Sequence, residues 1–156
     1  MNHPETDLVE IRRATVDDAA AISGVILASL RASNAQDYSP AVIARVAGNF
    51  GPAAVEALLQ KRLVFVATER DRVVGTAGLD GQTVRSVFVA PGKQFMGIGR
   101  ALMASVEKEA KTAGIEVLTV PASMTAEPFY AKLGYAAVRE VLHGEERTIL
   151  MERRLG

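Results

Sequence analysis

Val87-Phe88-Val89-Ala90-Pro91-Gly92-Lys93-Gln94-Phe95-Met96-Gly97-Ile98-Gly99-Arg100-Ala101-Leu102 runs from a short apolar β-rich segment through a Pro-Gly turn into a glycine-spaced loop. The loop opens directly into an amphipathic helix. That order builds an anion site. The first N–H groups of a helix have no intrahelical partner, and the helix dipole adds positive potential there. Glycines let a phosphate come close to the backbone. The stretch therefore reads as a seat for a phosphorylated cofactor.

Outward from the loop, the periodicity sorts the rest of the chain. Leu63 to Thr68, Val73 to Leu79 and Thr83 to Val89 read as three strands of a meander, with Asp80-Gly81 as a hairpin turn. Helix spacing resumes at Ile98, Leu102, Val106 and Ala110, and Gly114 is the expected stop. Val117 to Val120 reads as a short strand ended by Pro121. A short helix capped by Ser123 or Thr125 follows, to about Leu133. Gly134-Tyr135 turns into a strand reaching about Val141, then a polar turn over 142–146, and Thr148 to Arg153 as the last strand. On the N-terminal side, 8–14 suits a first strand, and Thr15 caps a helix to about Arg31. Ser39-Pro40 starts a second helix, and Ala53 to Gln60 forms a third. The sum is an α/β (α+β) domain around one twisted, mostly antiparallel sheet flanked by helices. One domain spans 1–156, with a core over about 9–154 and a flexible 1–8.

Bulk numbers narrow the function classes. The chain has 156 residues, 49% hydrophobic and 23% charged, which suits a folded domain with a real core. Its 18 basic and 18 acidic residues balance, which argues against nucleic acid or an anionic membrane as partner. Cysteine is absent, which removes disulfides, thiolate metal sites and a cysteine nucleophile. His3 and His143 lie far apart, so no metal site is expected. Met1 to Asp7 is polar and does not read as a signal peptide. No apolar run approaches the roughly 20 residues of a membrane span. A cytoplasmic protein is the expectation.

A Walker loop needs Lys-Ser or Lys-Thr after its last glycine, and Gly99 is followed by Arg100-Ala101. A dinucleotide loop needs a third glycine at set spacing and a parallel βαβ unit early in the fold. No third glycine follows Gly99 at that spacing, and the strand here arrives from an antiparallel meander. Gln94-Phe95-Met96-Gly97-Ile98-Gly99 instead resembles the Gln/Arg-x-x-Gly-x-Gly/Ala signature of the GCN5-related N-acetyltransferase (GNAT) family. Ser123-x-x-Ala126-x-x-Phe129-Tyr130-x-Lys132-Leu133-Gly134-Tyr135 resembles that family's second signature, and Ile11-Arg12-Arg13-Ala14-Thr15-x-x-Asp18 its usual opening. The likeness runs from Ile11 to about Arg153.

The resemblance implies acetyl-CoA, or another acyl-CoA, as donor. Gln94, Phe95, Met96, Gly97, Ile98, Gly99 and Arg100 would hold the pyrophosphate. Val87, Phe88 and Val89 would pair with the pantetheine arm where two strands splay apart. Ser123, Ala126, Phe129 and Lys132 would complete the cofactor wall. Phe95 and Met96 stand where the family often has glycine and a basic residue, and Ser123 where it often has asparagine. Lys93, Arg100 and Lys132 are cations that would compensate. Tyr130 matches the position that protonates the leaving thiolate, and a backbone N–H near Val89 would polarise the carbonyl. Asp37, Glu69, Asp80 and Glu145 are carboxylates suited to a general base, and a water chain can do the same work.

The acceptor, an amine of a small molecule or peptide, would lie against 34–38 and 142–147. Asp37, Tyr38 and His143 are its candidate contacts. A protein lysine or N-terminal acceptor, or a noncatalytic acyl-CoA-binding module, are the alternative readings. Many members of the family dimerise, so a homodimer is a further expectation.

Overall fold

The computed structural model describes residues 9–32, 39–94, 96–144 and 146–156. Seven strands among them form one sheet in the order β1-β2-β3-β4-β5-β7-β6. They are β1 (Val9–Arg13), β2 (Leu63–Glu69), β3 (Arg72–Asp80), β4 (Thr83–Val89), β5 (Val117–Ala122), β6 (Ala136–His143) and β7 (Glu146–Arg154). Every neighbouring pair is antiparallel except β4–β5. The helices are α1 (Ala19–Ala32), α2 (Pro40–Ala47), α3 (Pro52–Lys61), α4 (Ile98–Thr112) and α5 (Glu127–Lys132). The expected mixed, mostly antiparallel sheet flanked by helices is the fold observed. Among the described residues no single helix is long and apolar enough to cross a membrane.

Strand alternation sorts the core into two layers. Phe65 and Ala67 of β2 point to one face, where Ile98, Leu102, Met103, Val106 and Ala110 of α4 cover them. Val64 and Val66 point to the other, under Ile22, Ile26 and Leu30 of α1 and Val55 of α3. Each such buried aliphatic side chain contributes about 1.5–3 kcal/mol. Gly114, at φ +84°, closes α4: Ile115 N–H donates to Ala110 C=O, and Gly114 N–H to Lys111 C=O, both at 3.0 Å. This paired C-terminal cap matches the expected stop.

Three local readings need correction. The hairpin turn after β3 is Gly81-Gln82, because Asp80 still pairs with Thr83. Gly81 at φ +60° takes the first turn position, where that backbone is required. Pro121 does not end β5, since Pro121 pairs with Leu150 and Ala122 with Ile149 of β7. Thr119 N–H donates to Gln82 C=O at 2.9 Å, so by alternation the amide position of Pro121 also faces β4, away from the ladder it shares with β7. The segment 142–146 is mostly strand, with register continuing to His143 opposite Glu146. The expected cap is present: Thr15 is the N-cap of a helical turn over Val16–Asp18 that leads into α1. Its N–H donates to Asp18 Oδ2 at 2.8 Å, and Arg12 grips the same carboxylate with two bonds of 2.9 Å. The Arg12 hydrogen bond holds the Asp18 carboxyl below the usual carboxylate range.

A second polar cluster ties α4 to β7. Tyr135 donates its hydroxyl to Glu107 Oε2 at 2.7 Å, and Arg153 pairs with Glu107 Oε1 at 2.9 Å. Burial, reinforced by the Glu107 bond, raises the Tyr135 phenol above its ordinary range. A raised phenol favours the folded state below pH about 10 and loses that contribution as pH climbs above it. Tyr135→Phe is expected to lower stability by about 1–2 kcal/mol, seen as a lower urea midpoint at unchanged slope. The variant should also lose less stability than the parent between pH 9 and 11.

Candidate active site

β4 and β5 meet at one register pair, Thr83 opposite Thr119. Their hydroxyls lie 3.1 Å apart. Beyond that point the strands separate. The cause sits in β4. Thr76 pairs with Phe88 and Gly78 with Arg85, so Ser86 and Val87 together oppose Ala77. Ser86 takes φ +58°, and this bulge turns the strand. Arg62 Nη1 donates to Ser86 Oγ at 3.3 Å, bracing the turn from α3's end. A left-handed conformation at a side chain bearing Cβ costs about 1–2 kcal/mol.

The separation leaves backbone groups without a strand partner. Ala90 N–H donates to Val74 C=O at 2.8 Å. By alternation Phe88 also faces β3, so the N–H and C=O groups of Val87 and Val89 point into the gap. A buried strand edge of this kind needs a partner. An extended ligand bearing amides supplies one.

The gap opens into a cleft of about 730 Å³. Val87, Phe88, Val89, Gln94, Gly97, Ile98, Gly99, Arg100, Ser123, Ala126, Phe129, Tyr130 and Lys132 all line it. Thirteen positions drawn from three separate chain segments are thus brought together. At its mouth on the α4 face, Gly97 caps the helix at φ +80°. The first intrahelical bond is Ala101 N–H to Gly97 C=O at 3.0 Å, so the N–H groups of Ile98, Gly99 and Arg100 face outward. That arrangement suits a pyrophosphate. A Cβ built on Gly99 would come within 3.1 Å of the Phe129 ring, so the small residue is what lets α5 close against α4. Ser123 Oγ accepts the Ala126 N–H at 3.2 Å and shapes the entry to α5.

Tyr130 is 5% exposed. Its ring is held edge-on between Phe129, 5.0 Å away, and Tyr135, 5.7 Å away. Its hydroxyl makes no hydrogen bond to any described residue. Burial pushes its pKa well above the ordinary phenol range, so the phenol stays protonated across neutral pH.

Several nominated residues fall elsewhere. Met96 packs on the α4 core layer and does not line the cleft. Asp37, Tyr38, Phe95 and Glu145 lie outside the described residues, as does the side chain of His143. Glu69 is paired with Lys93 at 2.7 Å, and Asp80 lies 3.9 Å from Arg62. Neither carboxylate lines the cleft, which removes both as direct bases. Lys93 borders the cleft and is ion-paired with Glu69.

Other lining residues escaped the sequence reading. Ser29, Leu30, Ile43, Val46, Phe50, Glu146 and Thr148 complete the cleft on the α1–α2 face. Glu146 sits inside the 142–147 segment nominated for the acceptor, but its place in a polar turn did not single it out as a contact. The signal was the alternation of β7, where Glu146, Thr148 and Leu150 share one face while Ile149 and Met151 enter the core.

A sequence profile of the acetyltransferase (GNAT) domain matches residues 34–151. The chain belongs to the GNAT family. A GCN5-related N-acetyltransferase from Rhodopseudomonas palustris shares this fold, with a TM-score of 0.87 and 29% identity over 93% of this chain and 94% of that one. PaiA N-acetyltransferase of Thermoplasma acidophilum, solved with coenzyme A, superposes with a TM-score of 0.79 at 18% identity, covering 94% of this chain and 98% of its own. YncA of Salmonella typhimurium, solved with its cofactor acetyl-CoA, gives 0.67 at 23% identity, covering 96% and 95%. No curated protein matches the chain in sequence. This GNAT domain should lose CoA affinity at least tenfold on Gly99→Val, because the new side chain forces Phe129 away from α4; calorimetric titration with CoA measures it. An unchanged affinity would remove the helix start from the CoA seat.

Proposed function

We propose that this GNAT domain is an N-acetyltransferase that moves an acetyl group from acetyl-CoA to a primary amine of a small molecule or peptide by direct attack. The observation that carries the reading is the cleft itself. It passes through the sheet at the β4–β5 split, with a helix N-terminus at one mouth and a buried phenol on its wall.

The backbone N–H groups of Ile98, Gly99 and Arg100 receive the pyrophosphate of acetyl-CoA. Arg100 and Lys132 add charge at the same mouth. The gap-facing groups of Val87 and Val89 pair with the pantetheine amides, and the Val89 N–H lies where it can polarise the thioester carbonyl. The acceptor nitrogen loses its extra proton to water and attacks the carbonyl carbon. The C–S bond breaks, Tyr130 gives its proton to the departing sulfur, and the acylated nitrogen sheds a second proton that returns through water to the phenolate.

Burial makes Tyr130 a weaker acid than a free phenol. The same exclusion of water destabilises a thiolate, so both groups move in the same direction. No covalent intermediate on the protein is required, in keeping with a chain that has no cysteine.

Tyr130→Phe is expected to lower kcat by about 10²-fold, the low end of general acid catalysis, while the KM for acetyl-CoA changes less than threefold. Steady-state rates read by release of free CoA test it. A kcat within twofold of the parent would sink the acid assignment.

A further inference from the structure

The half of the cleft on the α1–α2 face has a chemistry of its own. Leu30 comes from α1, Ile43 and Val46 from α2, Phe50 from the turn before α3, and Phe88 from β4. Phe50 and Phe88 meet edge-on at 6.0 Å. Pro121 adds apolar surface from β5. Ser29 and Thr148 contribute hydroxyls. Glu146, at the start of β7, is the one carboxylate among the described lining residues. Its Oε1 pairs with Arg45 Nη2 of α2 at 3.3 Å.

Strand register fixes where Glu146 stands. Ala122 ends β5 opposite Ile149, so Thr148 and Glu146 extend past the end of β5. They lie on the sheet face away from Ile149 and Met151, which enter the α4-side core. Glu146 therefore stands on the same face as Phe88, beside the stretch of cleft where β4 and β5 have parted. Arg45 draws this carboxylate toward α2 and fixes it at the chamber edge.

We propose that the acceptor is a primary amine on a small apolar body, an alkyl- or arylalkylamine, whose ammonium is received by Glu146. The inference rests on the transferase reading above and names its substrate class. The apolar walls gain from covering a hydrocarbon body. Among the described residues no second carboxylate lines the cleft, so a second or third ammonium placed against Leu30, Val46 and Phe50 loses its hydration without a counter-charge from them. The chamber therefore selects against polycations as well as for an apolar chain.

The test uses the full chain, free and CoA-loaded, titrated calorimetrically with 2-phenylethylamine, hexylamine and spermidine. Initial rates with acetyl-CoA are measured in parallel. The expected result is binding of the two monoamines at least tenfold tighter than spermidine. Glu146→Gln should weaken 2-phenylethylamine about tenfold, the loss of one charge-assisted contact. The amine KM should rise, while the KM for acetyl-CoA and the circular dichroism melt stay as in the parent. Tighter binding of spermidine, no monoamine binding, or a Glu146→Gln protein with unaltered amine affinity each overturns the assignment. Monoamine binding that depends on Glu146 without turnover upholds it and removes the transferase reading instead.

Discussion

The parting of β4 from β5 is the constraint on which the rest of the molecule depends. Parallel strands in one sheet normally share a run of evenly spaced bonds. Here they share the Thr83–Thr119 level and little more. Two strand edges in the middle of a domain then lack partners, which is costly unless a ligand or water takes them. The structure meets this cost from both directions. On one side Pro121 places a residue with no N–H to lose. On the other, the Ser86 bulge turns Val87 and Val89 so that their open groups meet a ligand instead of a neighbouring strand. Two packed layers hold the edges apart, with α4 and α5 on one face and α1 to α3 on the other.

Much of this was legible in the amino-acid order because the deciding residues act locally. Gly97 and Gly99 mark a helix entry whatever the tertiary context, and Gly114 marks its exit. The change from helical to strand periodicity at Leu63 located the meander. The misreadings share a cause, which is that strand ends are set by the partner strand. Pro121 looked like a stop because its own backbone cannot donate a ladder bond, but β7 binds β5 through the alternate residues. The 142–146 segment looked like a turn because it is polar, but the register of β6 with β7 carries it on to His143 and Glu146.

The site divides along the same line. The half proposed to seat the cofactor is built from two compact motifs, so Val87 to Arg100 and Ser123 to Lys132 could be nominated together. The acceptor half gathers single residues from α1, α2, the turn before α3 and β7. Arg45 and Glu146 are separated by 101 positions, and no short pattern announces such a pair. Glu69 and Asp80 show the converse error. Both are acidic residues at strand ends, which suited a base by position, but each faces a cation of the scaffold and not the cleft.

The Lys93–Glu69 pair bears on how the cofactor loop handles its solution environment. The lysine nearest the helix start is one-third exposed and is already matched by a carboxylate from the β2–β3 hairpin. In the proposed reading the anion then meets the peptide N–H groups of Ile98, Gly99 and Arg100, together with the Arg100 and Lys132 side chains that line the cleft. Mobile ions screen separated surface charges over about 10 Å at 0.1 M salt, but they have little purchase on amides in direct contact with an oxygen. In the proposed transferase, the share of cofactor capture carried by these amides is therefore less sensitive to ionic strength than a seat built on free lysines alone.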